Sequence, residues 1–426
     1  MQYDEAIAKL FAMSSRGIRL GIQRMEEALR YRGSPHLGLR CVQVAGTNGK
    51  GSVSSMMAAV LRRAGYRTGL FVSPHLHRWV ERVNVDGEPL DEAEAGRRIG
   101  EVLDAFSKPQ APEVTFFELT TLIALEVFRD RRCDVVVLET GLGGRLDATT
   151  AVTPEVGVIT RVAFDHTHLL GDTIEAIARE KAGMIKPDMP TIVGVRTPAA
   201  QRVILERAAL LQAPVRLIDR DFRFTADGRD GFSVDAMGQE FTGLRLSLHG
   251  QHQWLNAACA VAALAELERR GLFSTSEHVA GGLTEVRWPG RMEILEQHPL
   301  LLIDAAHNPD GCRALADFVA DQPQKGPRVL VFGAMRDKDL TSMLRTLSPV
   351  FDRIIYRSPD MPRAAPHALL NQIRKGDRSK DVPDALAKAR ALSGEDGLVV
   401  VAGSIFLIAA VRALVLGVRA DPSIRM

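Results

Sequence analysis

From Cys41 onward, short apolar runs alternate with helix-length patterns, and no other feature of the chain restricts its fold as tightly. CVQVA, CDVVVLETG, EVGVIT and TIVGV read as strands, and the consecutive valines of CDVVVLETG fit a strand covered on both faces, as in parallel sheets. Between them SVSSMMAAVLRRAG, Glu118 to Arg131 and IEAIAREKAGMI read as helices. This βαβ alternation predicts an α/β fold with a P-loop-type, mostly parallel sheet and helices on both faces. From Phe222 to His249 short alternating runs separated by DG and GQ turns predict a small antiparallel hairpin section. An alanine-rich helix, Trp254 to Arg270, follows, and EVRWPGRMEIL, with its Pro-Gly pair, marks a junction. After it LLLIDAA, RVLVFGA, FDRIIYRS and GLVVVAGS restart the pattern as a smaller Rossmann-like α/β domain. The expected division is 1–290 and 291–426, in keeping with a chain of 426 residues, too long for one simple core.

The 54 basic and 52 acidic side chains nearly cancel, so no global field draws the molecule to nucleic acid or an anionic membrane. Neither is expected as a partner. Four cysteines lie far apart without metal-ligand spacing and read as buried, reduced thiols. MQYDEAIAKLFAMSSRG lacks the uninterrupted apolar stretch of a signal peptide, and FLIAAVRALVLGV is short and broken by Arg412. A cytoplasmic monomer is the expectation.

Chemistry-bearing residues gather where strands end. VAGTNGKGS, Val44 to Ser52, lies between a buried strand and a helix start, where backbone N–H groups and the helix N-terminus face an anion. Lys50 would reach phosphates and Ser52 would assist a Mg²⁺ ion. The common GxxxxGK[ST] pattern would need glycine at Val44 and Ser or Thr at Gly51, so a ligand-free glycine turn is the competing reading. Glu139 ends the valine strand and would hold a cation, or else pair with a nearby arginine such as Arg145. Asp147, on the following turn, is a second functional carboxylate or a turn residue. Asp165, His166 and His168 follow EVGVIT on the same sheet edge, where ligands of open α/β sheets collect. Ser73 ends another strand. In IDAAHNPDG, Asn308 is placed to cap a helix, which leaves Asp304 and His307 unexplained.

GTNGKGS, SPHL, ETGLGGRLDAT, DHTHLLGDT, EKAG, GQHQ with NAA, WPGR and DAAHNP stand in this order along nearly the whole chain. The combination resembles the folylpolyglutamate synthase and dihydrofolate synthase family of the Mur ligase superfamily, whose own glycine loop has this shortened form. The resemblance implies an ATP-dependent amide ligase joining L-glutamate to dihydropteroate, to the γ-carboxylate of a reduced folate, or to both, through an acyl phosphate. It implies that Gly49, Lys50, Gly51 and Ser52 bind ATP phosphates, with Asn256, Arg291 and Asp304 as further nucleotide contacts. Ser73, Glu139 and His166 would ligate Mg²⁺. Lys181 of EKAG would be carbamylated and serve a second Mg²⁺ site, with a monovalent cation such as K⁺ a further candidate. Lys50, Lys181, Asp147, His307 and Ser404 are the implied catalytic groups. Leu20, Gly21 and Ile22, with Thr115, Phe116, Phe117, Glu118, Leu146, Asp147 and Ala148, would hold the pteroyl substrate. Ile18 to Arg24, IRLGIQR, departs from the family's IDLGLxR at Arg19, where bifunctional relatives often carry aspartate.

Two other functions compete. A cell-wall Mur ligase would carry a further N-terminal domain for a uridine nucleotide, whereas about forty residues precede the loop. A P-loop switch without ligase activity leaves DAAHNP unexplained.

Overall fold

The apolar runs of the first unit pair into one eight-stranded sheet. A computed structural model describes residues 1–16, 19–228 and 230–422. Its first strands are β1 (Cys41–Ala45), β2 (Thr68–Phe71), β3 (Val83–Val85), β4 (Glu88–Pro89), β5 (Val135–Glu139), β6 (Val156–Ile159), β7 (Thr191–Val193) and β8 (Val215–Leu217). They lie in the order β4-β3-β2-β5-β1-β6-β7-β8. All neighbours from β2 to β8 are parallel, and β3 and β4 add an antiparallel edge. With β1 between β5 and β6, and β2 beyond β5, the four strand ends that carry the polar motifs open on one edge.

The hairpin section forms as expected: β9 (Phe222–Asp227), β10 (Gly231–Ala236) and β11 (Gln239–Arg245) make an antiparallel sheet. Phe232 stacks on Trp254 of the helix His252–Glu268, with ring centroids 5.8 Å apart. That helix is buried along nearly its whole length, so small alanines let it sit between this sheet and the main one. The helix Phe116–Asp130 starts two residues before its apolar periodicity suggests, because Thr115 and Glu118 form a reciprocal capping box.

The third sheet contains β12 (Glu293–Gln297), β13 (Leu300–Ile303), β14 (Arg328–Phe332), β15 (Arg353–Tyr356), β16 (Asp377–Arg378) and β17 (Leu398–Ala402). Its order is β12-β13-β17-β14-β15-β16, parallel except for β12. It has its own apolar cores on both faces. After the helix Ile405–Leu416 the chain turns back to the first unit. There the Asp421 carboxylate accepts from Tyr3 Oη at 2.7 Å, Trp79 N at 2.7 Å and Arg78 Nε at 3.2 Å. All four cysteines are buried and unpaired. Among the described residues no helix is long and apolar enough to cross a membrane.

Candidate active site

The glycine loop joins β1 to the helix Lys50–Arg63, whose first turn leaves N–H groups without intrahelical partners. Val44, aligned with Glu139 in the register of β1 and β5, is a strand residue, and the loop glycine comes later, at Gly46. Gly49 caps the helix at φ +89°, and a Cβ there would lie 2.4 Å from Asn256 Oδ1. At Gly51 a Cβ would meet the Trp288 ring at 2.3 Å, which explains why serine or threonine is missing there. Lys50 curls back so that Nζ donates to Gly46 O at 3.1 Å and Thr47 O at 3.3 Å. The ammonium therefore stands over the loop mouth.

Glu139 is only 4% exposed, and its Oε2 accepts from Ser73 N at 3.0 Å. Burial pushes its carboxyl above the usual range, against the pull of Lys50, the Ser73 N–H, Arg291 and Arg82. Arg145, the alternative partner, is taken by Glu180 at 2.8 Å. A buried carboxylate without a paired cation is costly, and a bound metal relieves that cost. His166, in the left-handed region at φ 49°, opens the short helix Thr167–Leu170. Burial pushes its imidazole down to about 4. Lys181 is 2% exposed, and its side chain makes no ion pair or hydrogen bond among the described residues. Burial first, then Lys50, lowers its amine to about 7, so a substantial neutral fraction exists near neutrality. All these residues line one cavity with Ser52 and Ser73. Among the described residues no three His, Cys, Asp or Glu side chains cluster as a ready metal site, and only Glu139 and His166 of the expected ligands are of those types.

The opposite wall comes from the third sheet. Asp304, beyond β13, accepts from Met292 N at 2.9 Å and Ala306 N at 2.8 Å, and burial raises its carboxyl despite Arg291. Asn256 donates to Gln253 at 2.8 Å on the same cavity. Asp165 receives three groups from across the cleft: Lys338 Nζ at 2.5 Å, His307 Nε2 at 3.1 Å and Asn308 Nδ2 at 3.2 Å. These neighbours hold its carboxyl far below the usual range even though burial works the other way. Beside it Asn48 and Asn308 exchange amide hydrogen bonds at 3.0 Å, and Asp310 binds Asn48 at 2.8 Å and Arg161 at 3.4 Å.

Residues 44–264 match the Mur ligase middle domain, and residues 290–405 match the Mur ligase glutamate ligase domain. The dihydrofolate synthase/folylpolyglutamate synthase of Bacillus subtilis (strain 168) is 32% identical over 422 residues, covering 96% of this chain and 98% of that one. The folylpolyglutamate synthase of Lacticaseibacillus casei is 33% identical over 435 residues, covering 98% and 99%. The chain belongs to the folylpolyglutamate synthase/dihydrofolate synthase family of Mur ligases. It is an ATP-dependent acid–amino-acid ligase. The fold of E. coli FolC in complex with DHPP and ADP superposes with a TM-score of 0.90 at 32% identity, covering 98% of this chain and 99% of that one. A bifunctional family member with Mn, AMPPNP and L-glutamate bound gives 0.89 at 33% identity, covering 98% and 100%.

In this ligase the three segments expected to hold the pteroyl group meet. Gly21 N reaches Leu146 O at 3.5 Å, and Arg24 pairs with Glu118 at 3.1 Å. Leu20 and Ile22 flank that contact; Ile18 lies outside the described residues. Phe117 is half-buried and its ring covers Gly141, whereas Phe116 is buried against Phe11. Ala148 is a core residue. Arg19 turns to Glu113 at 3.1 Å. Two expected catalytic groups, Asp147 and Ser404, make capping hydrogen bonds at the edge of the site. Asp147 is buried and caps the turn at Ala148–Ala151, its carboxylate taken by Leu142 N at 2.9 Å and by Thr149 N and Oγ1 at 3.0 and 2.7 Å. Ser404 Oγ caps the helix Ile405–Leu416, accepting from Phe406 N at 3.2 Å. Lys338, Asn48, Arg161, Asp310 and His252 are absent from the sequence-derived site. A signal for Lys338 existed, since RDKD follows RVLVF at a strand end.

Proposed function

We propose that this ligase activates a pteroyl or folyl carboxylate with ATP and couples it to L-glutamate in the cleft between the units 1–290 and 291–426. The observation that carries this reading is one cavity lined by the glycine loop, Glu139, His166 and Lys181 from one side and by Arg291, Asp304 and His307 from the other. ATP phosphates fit over Gly49 to Ser52, where any side chain at Gly49 or Gly51 would collide with a neighbour. Asn256, Arg291 and Asp304, which line the same cavity, would contact the rest of the nucleotide.

Ser73, Glu139 and His166 would hold one Mg²⁺, and a Lys181 carbamate would help hold a second. Bound there, the metal neutralises charge developing on phosphoryl and acyl oxygens. Lys50 adds a cation at the loop mouth. The neutral amine of Lys181 is the form that reacts with CO₂, and its burial supports that modification. The acceptor carboxylate attacks the γ-phosphorus and ADP leaves. The neutral glutamate amine then attacks the acyl carbon, loses a proton, and phosphate departs. Walls from both units exclude water that would hydrolyse the acyl phosphate. The four buried thiols suit a reducing, cytoplasmic setting, and nothing in the mechanism requires more than a monomer.

ADP release is measured with ATP, Mg²⁺ and glutamate, plus either dihydropteroate or a reduced folate. Turnover is expected only with glutamate and at least one acceptor, and the acceptor that supports it decides between one activity and two. Lys50→Ala should lose about 10²–10³-fold in turnover, the scale of removing one preorganised charge-stabilising group. ADP release independent of glutamate, or near-normal turnover in Lys50→Ala, would overturn the assignment.

A further inference from the structure

Asp165 belongs to the first unit, on the loop after β6, yet most of its partners belong to the second. Lys338 comes from the loop after β14, and His307 and Asn308 from the loop after β13. Only the His166 N–H, at 2.9 Å to Oδ1, is local. The side chains of Asp165 and Lys338 are 6% and 10% exposed, so this ion pair is largely removed from water. His307 Nδ1 lies 2.8 Å from Ala305 O and Nε2 faces the carboxylate, so both ring nitrogens meet oxygen atoms.

Among the described residues, neither Asp165 nor Lys338 has another ion pair within its own unit, apart from the long approach of His166 Nε2 to Asp165 at 3.9 Å. Separating the units would break this pair together with the hydrogen bonds from His307 and Asn308. Asp165 is also one residue from His166, so whatever fixes the carboxylate fixes the loop carrying the imidazole. Across the cleft, the peptide that presents His307 and Asn308 begins at Asp304. The contact therefore ties the metal side of the cavity to its nucleotide side.

We propose that Asp165 and Lys338 are positioning residues that latch the two units together, bringing the second unit's glutamate-ligase face over the phosphate loop. His307 and Asn308 complete the latch. This inference rests on the ligase reading above and adds the residues that couple closure to chemistry. The latch works through geometry: Lys338 is spent on Asp165 and need not touch a substrate.

The test uses the full chain with Lys338→Met, Asp165→Asn, the double variant and Lys338→Arg. Small-angle scattering and thermal melts are recorded first, since they need no ligation. The single variants should show an enlarged radius of gyration with an unchanged melting profile for each unit. In steady state kcat should fall about 10–100-fold while KM for ATP moves less than threefold. The double variant should be no worse than the poorer single one, because the two side chains act as a unit. Lys338→Arg should recover most of kcat. The proposal is overturned if Lys338→Met keeps kcat within threefold and leaves scattering unchanged, or if the two losses multiply in the double variant. Failure of the ligase reading would show separately, as wild-type protein that gives no acceptor-dependent ADP release while the scattering differences persist.

Discussion

At the scale of single residues, Glu139 and Lys181 show what burial does to charge. Both were legible in the sequence, Glu139 because a carboxylate closes a run of valines and Lys181 because of the EKAG match. What the sequence did not contain is their isolation. Neither has an opposite charge within ion-pair distance among the described residues, and a cation or a chemical modification is the available remedy. Asp147 and Ser404 mark the converse: each is already engaged in a capping hydrogen bond. The strand-end position of Lys338 was visible in the sequence, but its pairing with a carboxylate 173 residues away was not. Lys181→Ala should lower turnover about 10–100-fold, the scale of losing a group that supports a metal, and added formate or acetate should restore part of it. Rate measured against carboxylate concentration decides the matter, and undiminished activity in the untreated variant would remove Lys181 from the mechanism.

At the scale of elements, the strands were legible because each is a run of apolar residues with little else to be. The edge strands β3 and β4 were not, since three and two residues carry too little pattern to register. The helix from Phe116 started early because its boundary is set by hydrogen-bond caps and not by apolar spacing. The loop-to-helix element at Lys50 holds the clearest interplay of local and tertiary demands. Alanine is favoured over glycine inside helices by up to about 1 kcal/mol. At Gly51 the Trp288 ring reverses that preference, because the added methyl would lie 2.3 Å from it. Gly51→Ala should destabilise by about 1–3 kcal/mol, the range for overpacking a filled core. Combining it with Trp288→Leu should return part of the loss in a denaturant titration. Equal midpoints for wild type and Gly51→Ala would show that the ring simply moves aside.

For the whole molecule, several histidines are held neutral by burial in separate places. His77 and His252 are pushed down to about 4 and His75 well below its ordinary value, burial being the main cause in each. The unfolded chain protonates histidine near 6.5. Between about pH 6.5 and 4 it therefore binds more protons than the folded chain, and stability must fall as pH falls through that window. Denaturant midpoints at pH 7 and 5 should differ clearly. His77, whose two ring nitrogens have no hydrogen-bond partner among the described residues, should contribute so that His77→Leu flattens the dependence. Equal midpoints at the two pH values would contradict this account. A mechanical consequence lies in the closing segment of the chain. The polypeptide passes between the units beside Gly290, and near its end Asp421 is pinned to Tyr3, Arg78 and Trp79. A body held at two points keeps a single rotational freedom, about the line through them. The second unit would then swing like a gate on two pins and could not slide. Arg291, next to one pin, would scarcely travel in that swing. Nucleotide could be gripped with the gate ajar, and shutting it would be a separate event.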